Sequence, residues 1–301
     1  MTRQIEETRE TRGETKENGR PAPAQVQRGL PPRVEMDVRH VILVLSGKGG
    51  VGKSTVSVNL AFALANHGRR VGLLDLDLHG PSVPKMLGLE GQVPAVIGNA
   101  IQPVPVTGNL SVMSMAFLLP NPTDPVIWRG PMKIGAIRQL LTEVNWGSLD
   151  YLVVDLPPGT GDAQLTMAQQ TPLAGAVIVS TPQDLALIDA QRGIEMFRKV
   201  NVPILGLIEN MSSFCCPACN HITPIFGHGG ARDEAERRGI PFLGEIPLDI
   251  SIREASDDGR PIVATDPDSV HARRYVAIAR QLWQSITTGA ATKPAPRIVI
   301  E

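Results

Sequence analysis

Between Val41 and Thr55 the chain reads VILVLSGKGGVGKST, and this stretch limits the fold more than any other. The run of branched apolar residues from Val41 to Leu45 fits a fully buried strand of a parallel sheet. It leads directly into Gly47-Lys48-Gly49-Gly50-Val51-Gly52-Lys53-Ser54-Thr55, a match to G-x-x-x-x-G-K-[ST], the P-loop. The glycines let successive backbone N–H groups turn inward around phosphate oxygens. A helix starting near Lys53 aims the positive end of its dipole at the same place. Lys53 then neutralises the β- and γ-phosphates, and the Ser54 hydroxyl suits Mg²⁺. The alternative is a glycine-rich turn that binds nothing. It leaves the sequence of strand, loop, Lys-Ser and helix unexplained.

The chain is long enough for two average domains, but at 301 residues it also suits one large α/β domain. Aromatic residues make up only 4% against 42% hydrophobic, so aliphatic side chains must supply most of the packing. A formal net charge of −1 gives no general reason to expect nucleic acid or an anionic membrane as partner. No apolar run approaches the roughly 20 residues needed to span a bilayer, and the polar N-terminus lacks a signal-peptide core. A cytoplasmic protein is expected. Residues 1–36, rich in Glu, Arg, Thr and Pro, read as a disordered polar tail. Residues 37–287 read as a single P-loop domain, and residues 288–301 as a second tail.

Two further buried strands end in carboxylates. Val71–Leu76 runs into Asp75-Leu76-Asp77, and Tyr151–Leu156 carries Asp155. Carboxylates at the C-terminal ends of parallel strands lie on the ligand edge of such a sheet. Asp155 fits the strand-end residue that holds Mg²⁺. Asp77 is placed to orient an attacking water, and Asp75 to support the metal or the loop; capping of the next helix is the alternative for both. The segment Pro157-Pro158-Gly159-Thr160-Gly161-Asp162 suits a loop with two positions, in which the Gly159 or Gly161 amide senses a γ-phosphate. Helices are expected over Lys53–His67, Met132–Val144, Asp184–Lys199, Ala231–Arg238 and Ser269–Ile286. Residues 90–125 read as Pro- and Gly-rich, with one short strand near Leu110–Met115. A strand over Ile204–Glu209 ends at Glu209-Asn210-Met211. The Asn210 amide there could pair with both edges of a base, or form an Asx-turn.

The three cysteines all fall in Cys215-Cys216-Pro217-Ala218-Cys219, in what reads as a loop beyond that strand. Cys216-x-x-Cys219 has the spacing that lets two thiolates reach one metal. One pair cannot complete a Cys₄ site, so a two-fold dimer would have to supply a second. Spacing does not separate iron–sulfur from zinc, a redox dithiol or inert thiols. His221 and His228 lie nearby but are poorly placed as ligands.

GKGGVGKST, with its additional Lys48, resembles the deviant P-loop of the SIMIBI ATPases: the MinD, ParA, nitrogenase-iron-protein and Mrp/ApbC families. DLPPGTGD, ENMSSFCCPACN and PIFGHGGA resemble the Mrp/ApbC branch most, as does PVIWRGPMK, to which no chemistry is assigned. The likeness runs from about Arg39 to Leu282. It implies a mostly parallel sheet sandwiched by helices, and a homodimer in which Lys48 reaches the partner's ATP. It implies that Asp77 lies in the first switch loop, that Asn210 recognises adenine and that Pro247 lies beside the base. It also implies a [4Fe–4S] cluster bridged by Cys216 and Cys219 of two subunits and passed to apoproteins. Cluster-assembly scaffold proteins are further partners under this reading. Cys215 stands where the family pattern needs no thiol, and the N-terminal tail lacks the four-cysteine site of some relatives. A positioning ATPase of the MinD or ParA kind is the rival reading. It leaves the CxxC unused and calls for a membrane helix or a basic face.

Overall fold

Residues 34–77, 80–119 and 130–288 are described in a computed structural model. The elements in chain order are β1 (Val38–Ser46), α1 (Lys53–Asn66), β2 (Val71–Asp75), α2 (Val83–Met86), β3 (Val96–Ile97), β4 (Ala100–Ile101), β5 (Val104–Thr107), β6 (Leu110–Ser114), α3 (Gly130–Thr142), β7 (Leu149–Asp155), α4 (Asp162–Gln170), β8 (Leu173–Ser180), α5 (Asp184–Lys199), β9 (Ile204–Cys215), β10 (Ile222–Thr223), α6 (Gly230–Arg238), β11 (Phe242–Leu248), α7 (Ile250–Asp257), α8 (Ile262–Thr265) and α9 (Val270–Thr287). The segment PVIWRGPMK, including Arg129, lies largely outside the described residues, as do most of both expected tails. Val34, inside the expected N-terminal tail, packs against the core and donates its N–H to the Gln170 carbonyl at 2.8 Å.

The sheet runs β9-β8-β1-β7-β2-β6-β5, with β11 and the short β10 both paired to β9. Only the β5–β6 and β10–β9 pairings are antiparallel within it. The central strands are apolar on both faces because helices cover both. Val41 to Leu45 are at most 1% exposed, and each such side chain contributes about 1.5–3 kcal/mol by burial. Strand order reverses at β1. The chain leaves β1 through α1 toward β2, but later steps the other way, from β7 through α4 to β8 and from β8 through α5 to β9. Right-handed crossovers put opposite steps on opposite faces. Accordingly α1, α8 and α9 pack together, while α5 and α6 pack on one another and on β8 and β9. The loop after β1 therefore sits at the topological switch point, where ligands of such sheets bind.

Two expectations need correction. The strand expected to stop at Glu209 continues to Cys215. Asn210 to Ser213 look like a loop, but β11 pairs at Asn210 and, across a bulge, at Phe214, and β10 pairs at Phe214 and Cys215. Backbone pairing holds the strand where apolar burial does not. Met211 accommodates it with a left-handed φ of 56°. The segment after Glu90 holds more than one short strand: β3 and β4 form a small ladder, and β5 pairs with β6.

Gly206 lies where β9 abuts the start of β11. A Cβ there would stand 2.5 Å from Leu243 Cγ and 2.8 Å from the Pro241 carbonyl oxygen. Gly206→Ala should therefore cost about 1–3 kcal/mol of stability, read as a lower urea midpoint with an unchanged slope.

Candidate nucleotide and thiol site

The P-loop is held from beneath by one carboxylate. Asp155, fully buried at the end of β7, accepts from Lys53 Nζ at 2.7 Å and Ser54 Oγ at 2.6 Å through Oδ2. Its Oδ1 accepts from Ser57 Oγ at 2.6 Å. Lys53 is itself only 6% exposed and also faces Asp77 Oδ2 at 3.9 Å. A buried ion pair persists only when its remaining lone pairs are satisfied. The two serines of α1 do this. Ser57, absent from the motif, completes the arrangement.

The loop glycines are needed for space as well as for conformation. Gly52, with φ 79°, immediately precedes α1, and any Cβ on it would collide with the Asn210 amide. Asn210 in turn donates Nδ2–H to the Val51 carbonyl at 2.8 Å. The backbone of α5 at Asp189 abuts Gly47 in the same way. The first turn of α1 carries no acidic residue to compete for its amides. Gly49, Gly50, Gly52, Lys53, Ser54, Thr55 and Asp77 line one cleft of about 240 Å³. Lys48 reaches away from it and donates to Gln183 Oε1 at 3.2 Å, at the start of α5.

Asp75 and Asp155 are directly opposed in the β2–β7 register. Burial, and then the Asp155 charge, push the Asp75 carboxyl up to about 7 against the bonds from the Asp77 amide and Ser114. Gly159, at φ 91°, donates its N–H to the Ser46 carbonyl at 2.8 Å. Gln164 clamps the loop around it. Its Oε1 accepts from the Gly161 amide at 3.0 Å, and its Nε2 donates to the Pro157 and Gly159 carbonyls at 2.7 and 2.9 Å. Sequence reasoning missed Gln164, although a Gln three residues into a helix is a capping-box signal.

A second chamber of about 260 Å³ adjoins the cleft, sharing Gly52, Thr55 and Met86 with it. Asn210 and Pro247 line it together with Met211, Ile252 and Tyr275. Six residues beyond Asn210, the Cys216–Cys219 turn connects β9 to β10. It is closed by Cys216 N–H to the His221 carbonyl at 2.9 Å and Asn220 N–H to the Cys216 carbonyl at 2.8 Å. Cys219 is exposed and Cys216 half-buried. The amides of Ala218 and Cys219, then the Cys219 thiol, point at Cys216 and lower its pKa toward the thiolate that binds metal. Glu209, His228 and Glu245 also converge, with ligand atoms within 4.8 Å. Both Glu209 oxygens already accept from the amides of Gly229 and Ala231, and Glu245 faces Arg232 and Arg274, so the cluster serves as a helix cap and ion pair.

A parallel sheet with this loop at its switch point, a buried Lys–Asp pair and a second lysine defines a P-loop NTPase of the MinD/ParA class. The chain belongs to the ParA-type family described as NUBPL iron-transfer P-loop NTPase, which matches residues 37–283. It is similar to the iron–sulfur cluster transfer protein NUBPL of Mus musculus, 54% identical over 85% of this chain and 81% of the relative. It is also similar to an iron–sulfur cluster carrier protein of Methanocaldococcus jannaschii, 53% identical over 76% and 79% of the two chains. Among solved structures, a nucleotide-binding protein from Archaeoglobus fulgidus in complex with ADP superposes with a TM-score of 0.66 at 44% identity, covering 74% of this chain and 88% of that one. The cell-division ATPase MinD of Pyrococcus furiosus gives 0.60 at 27%, covering 82% and 99%. Among the described residues, no helix is long and apolar enough to cross a membrane.

The raised Asp75 pKa fixes the sign of a pH effect. The folded chain holds this proton up to about pH 7, whereas the unfolded chain releases it near 3.8. This group's contribution to stability is thus full below about pH 4 and is lost as pH rises through 7. Asp75→Asn should melt higher than wild type at pH 8, with the gap closing as pH falls toward 4. A constant gap across that range in thermal scans would contradict the assignment.

Proposed function

We propose that this protein is an ATP-hydrolysing iron–sulfur cluster carrier that works in the cytoplasm as a homodimer. In this reading it holds a [4Fe–4S] cluster between Cys216 and Cys219 of two subunits and passes it to apoproteins. The observation that carries this is the position of the CxxC pair. It lies on an accessible hairpin at the end of β9, the strand that also supplies Asn210 beside the P-loop. The names of the relatives support the same reading. Two thiols per chain make half of a four-thiolate site, so a second copy is required. Leu185 and Ile188 lie exposed on the first turns of α5, next to the residue that Lys48 contacts, and Ile222 and Ile225 lie exposed beside the hairpin. These apolar residues suit a face covered by another subunit.

In the proposed mechanism the amides of Gly49 to Lys53 and the Lys53 ammonium hold the phosphates. Asn210 and Pro247 hold the base, and Lys48 turns from Gln183 to the partner's nucleotide. Ser54 and Asp155 offer the hard oxygens that suit Mg²⁺, which supplies charge neutralisation at the phosphates. Asp77 orients a water that attacks the γ-phosphorus. The P–O bond to ADP breaks, and phosphate leaves. Gly159, tied to Ser46 by its amide, is the group that would register the γ-phosphate and reset the loop clamped by Gln164. Nucleotide must then bind the cluster-holding and cluster-releasing states with different affinity. A positioning ATPase would share the P-loop but leave the thiol hairpin without a task.

Anaerobic reconstitution with iron and sulfide tests this. Wild type should yield a dimer with about four irons and a broad visible absorption band. Cys216→Ala/Cys219→Ala should lose the cluster and keep nucleotide affinity. Retention of zinc in place of the cluster would end the carrier reading. Separately, Lys53→Ala should abolish ATP binding in direct titration, because it removes the one buried cation facing the phosphates; unchanged affinity would refute the P-loop assignment.

A further inference from the structure

The end of β2 lies between two neighbours of opposite character. In the sheet register Asp75 stands opposite Asp155 of β7 on one side and opposite Ser114 of β6 on the other. All three side chains are fully buried. Facing carboxylates repel, so the Asp75 carboxylate is directed toward the hydroxyl. Ser114 Oγ donates to Asp75 Oδ2 at 2.9 Å. A hydroxyl both donates and accepts, so this bond holds whether or not Asp75 carries a proton. The other oxygen, Oδ1, accepts the Asp77 N–H at 3.0 Å.

These bonds lead from β6 to the phosphate cleft. Asp77 lies just past the end of β2, lines that cleft and faces Lys53 Nζ at 3.9 Å. The Asp75 carboxylate holds the Asp77 amide, and so helps to set where the Asp77 side chain starts. The last torsion of an Asp side chain is soft, and committing both oxygens is what fixes it. Ser114 commits the second one. Its Oγ also accepts the Ala116 N–H at 3.1 Å and so caps the 3₁₀ turn Met115–Leu118. That cap needs only a lone pair on the oxygen. The bond to Asp75 is additional, and it points toward the cleft.

We propose that Ser114 is a positioning residue for ATP hydrolysis: its hydroxyl fixes the Asp75 carboxylate, which in turn holds the Asp77 backbone at the edge of the phosphate cleft. The proposal rests on the hydrolytic reading of Asp77 given above. Ser114 touches neither nucleotide nor water in this scheme. It acts through Asp75, so its loss alters the placement of Asp77 and leaves the phosphate-binding groups of the P-loop as they are.

Ser114→Ala removes the hydroxyl and leaves a side chain of nearly the same size. In steady-state hydrolysis of MgATP its kcat should fall about tenfold while KM stays within about twofold, because Asp77 acts on the attacking water and not on the bound phosphates. In an Asp77→Ala background the same substitution should have no further effect. Amide hydrogen exchange gives a reading that needs no activity. In the unliganded chain the Asp77 amide should exchange about tenfold faster in Ser114→Ala, while the amides of β2 keep their protection. An unchanged kcat, an additive loss in the Asp77→Ala background, unchanged exchange at Asp77, or faster exchange spread evenly over β2 would overturn the proposal. Wild type that does not hydrolyse ATP would end the hydrolytic reading above, and exchange at Asp77 would still decide the link to Ser114. Should the alanine variant not fold, Ser114→Cys, similar in shape but a weak donor, is read in the same way.

Discussion

Everything at the ligand edge depends on how Asp155 is satisfied. It is a carboxylate with no exposure, at the end of a central strand, and it survives because three donors of α1 converge on it. Breaking a buried pair of this kind by removing one partner costs about 3–5 kcal/mol. The pair therefore fixes the start of α1 against β7, and with it the curvature of the loop between. The proton on Asp75 belongs to the same balance. Lys53 is the one buried cation among the described residues here, and it cannot compensate both strand-end carboxylates facing each other in register. A triphosphate with its cation would compete for these same donors and acceptors, so binding exchanges one neutralised arrangement for another.

Much of this was legible in the sequence because the relevant signals are local. The apolar runs ending at Ser46, Asp75 and Asp155, the glycine spacing and the CxxC each occupy a few consecutive residues. The structure assembles them in one parallel sheet, whose right-handed crossovers fix the face that each helix covers. What escaped notice is what depends on partners distant in sequence. Ser57 and Ser114 are ordinary serines until β7 and β2 come beside them. Tyr275 looks like one more apolar position on an amphipathic helix, and only the packed interior leaves its hydroxyl without a partner among the described residues. The extension of β9 through Asn210–Cys215 failed for a different reason. Asn210, Ser212 and Ser213 break the apolar run, and pairing by β10 and β11 at Asn210, Phe214 and Cys215 holds a strand that the side chains do not advertise. The short strands after Glu90 are similar, being too brief and too rich in Pro and Gly for periodicity to show.

The site also divides by element. The phosphate cleft is built from β1, α1, β2 and the loop after β7, whereas the chamber draws on β9, β11, α7 and α9. The two halves share Gly52, Thr55 and Met86, and at Gly52 the space of the missing side chain is filled by the Asn210 amide. A substitution there would wedge the halves apart without altering a single charged group.

β9 links this division to the thiols. Asn210 and Cys216 are separated by six residues of nearly continuous strand, at most about 20 Å. β11 pairs with that strand at Asn210 and, past a bulge that includes the left-handed Met211, again at Phe214. Chamber and thiols are therefore carried by one strand, whose far half is held by β10 and β11 rather than by a buried apolar face.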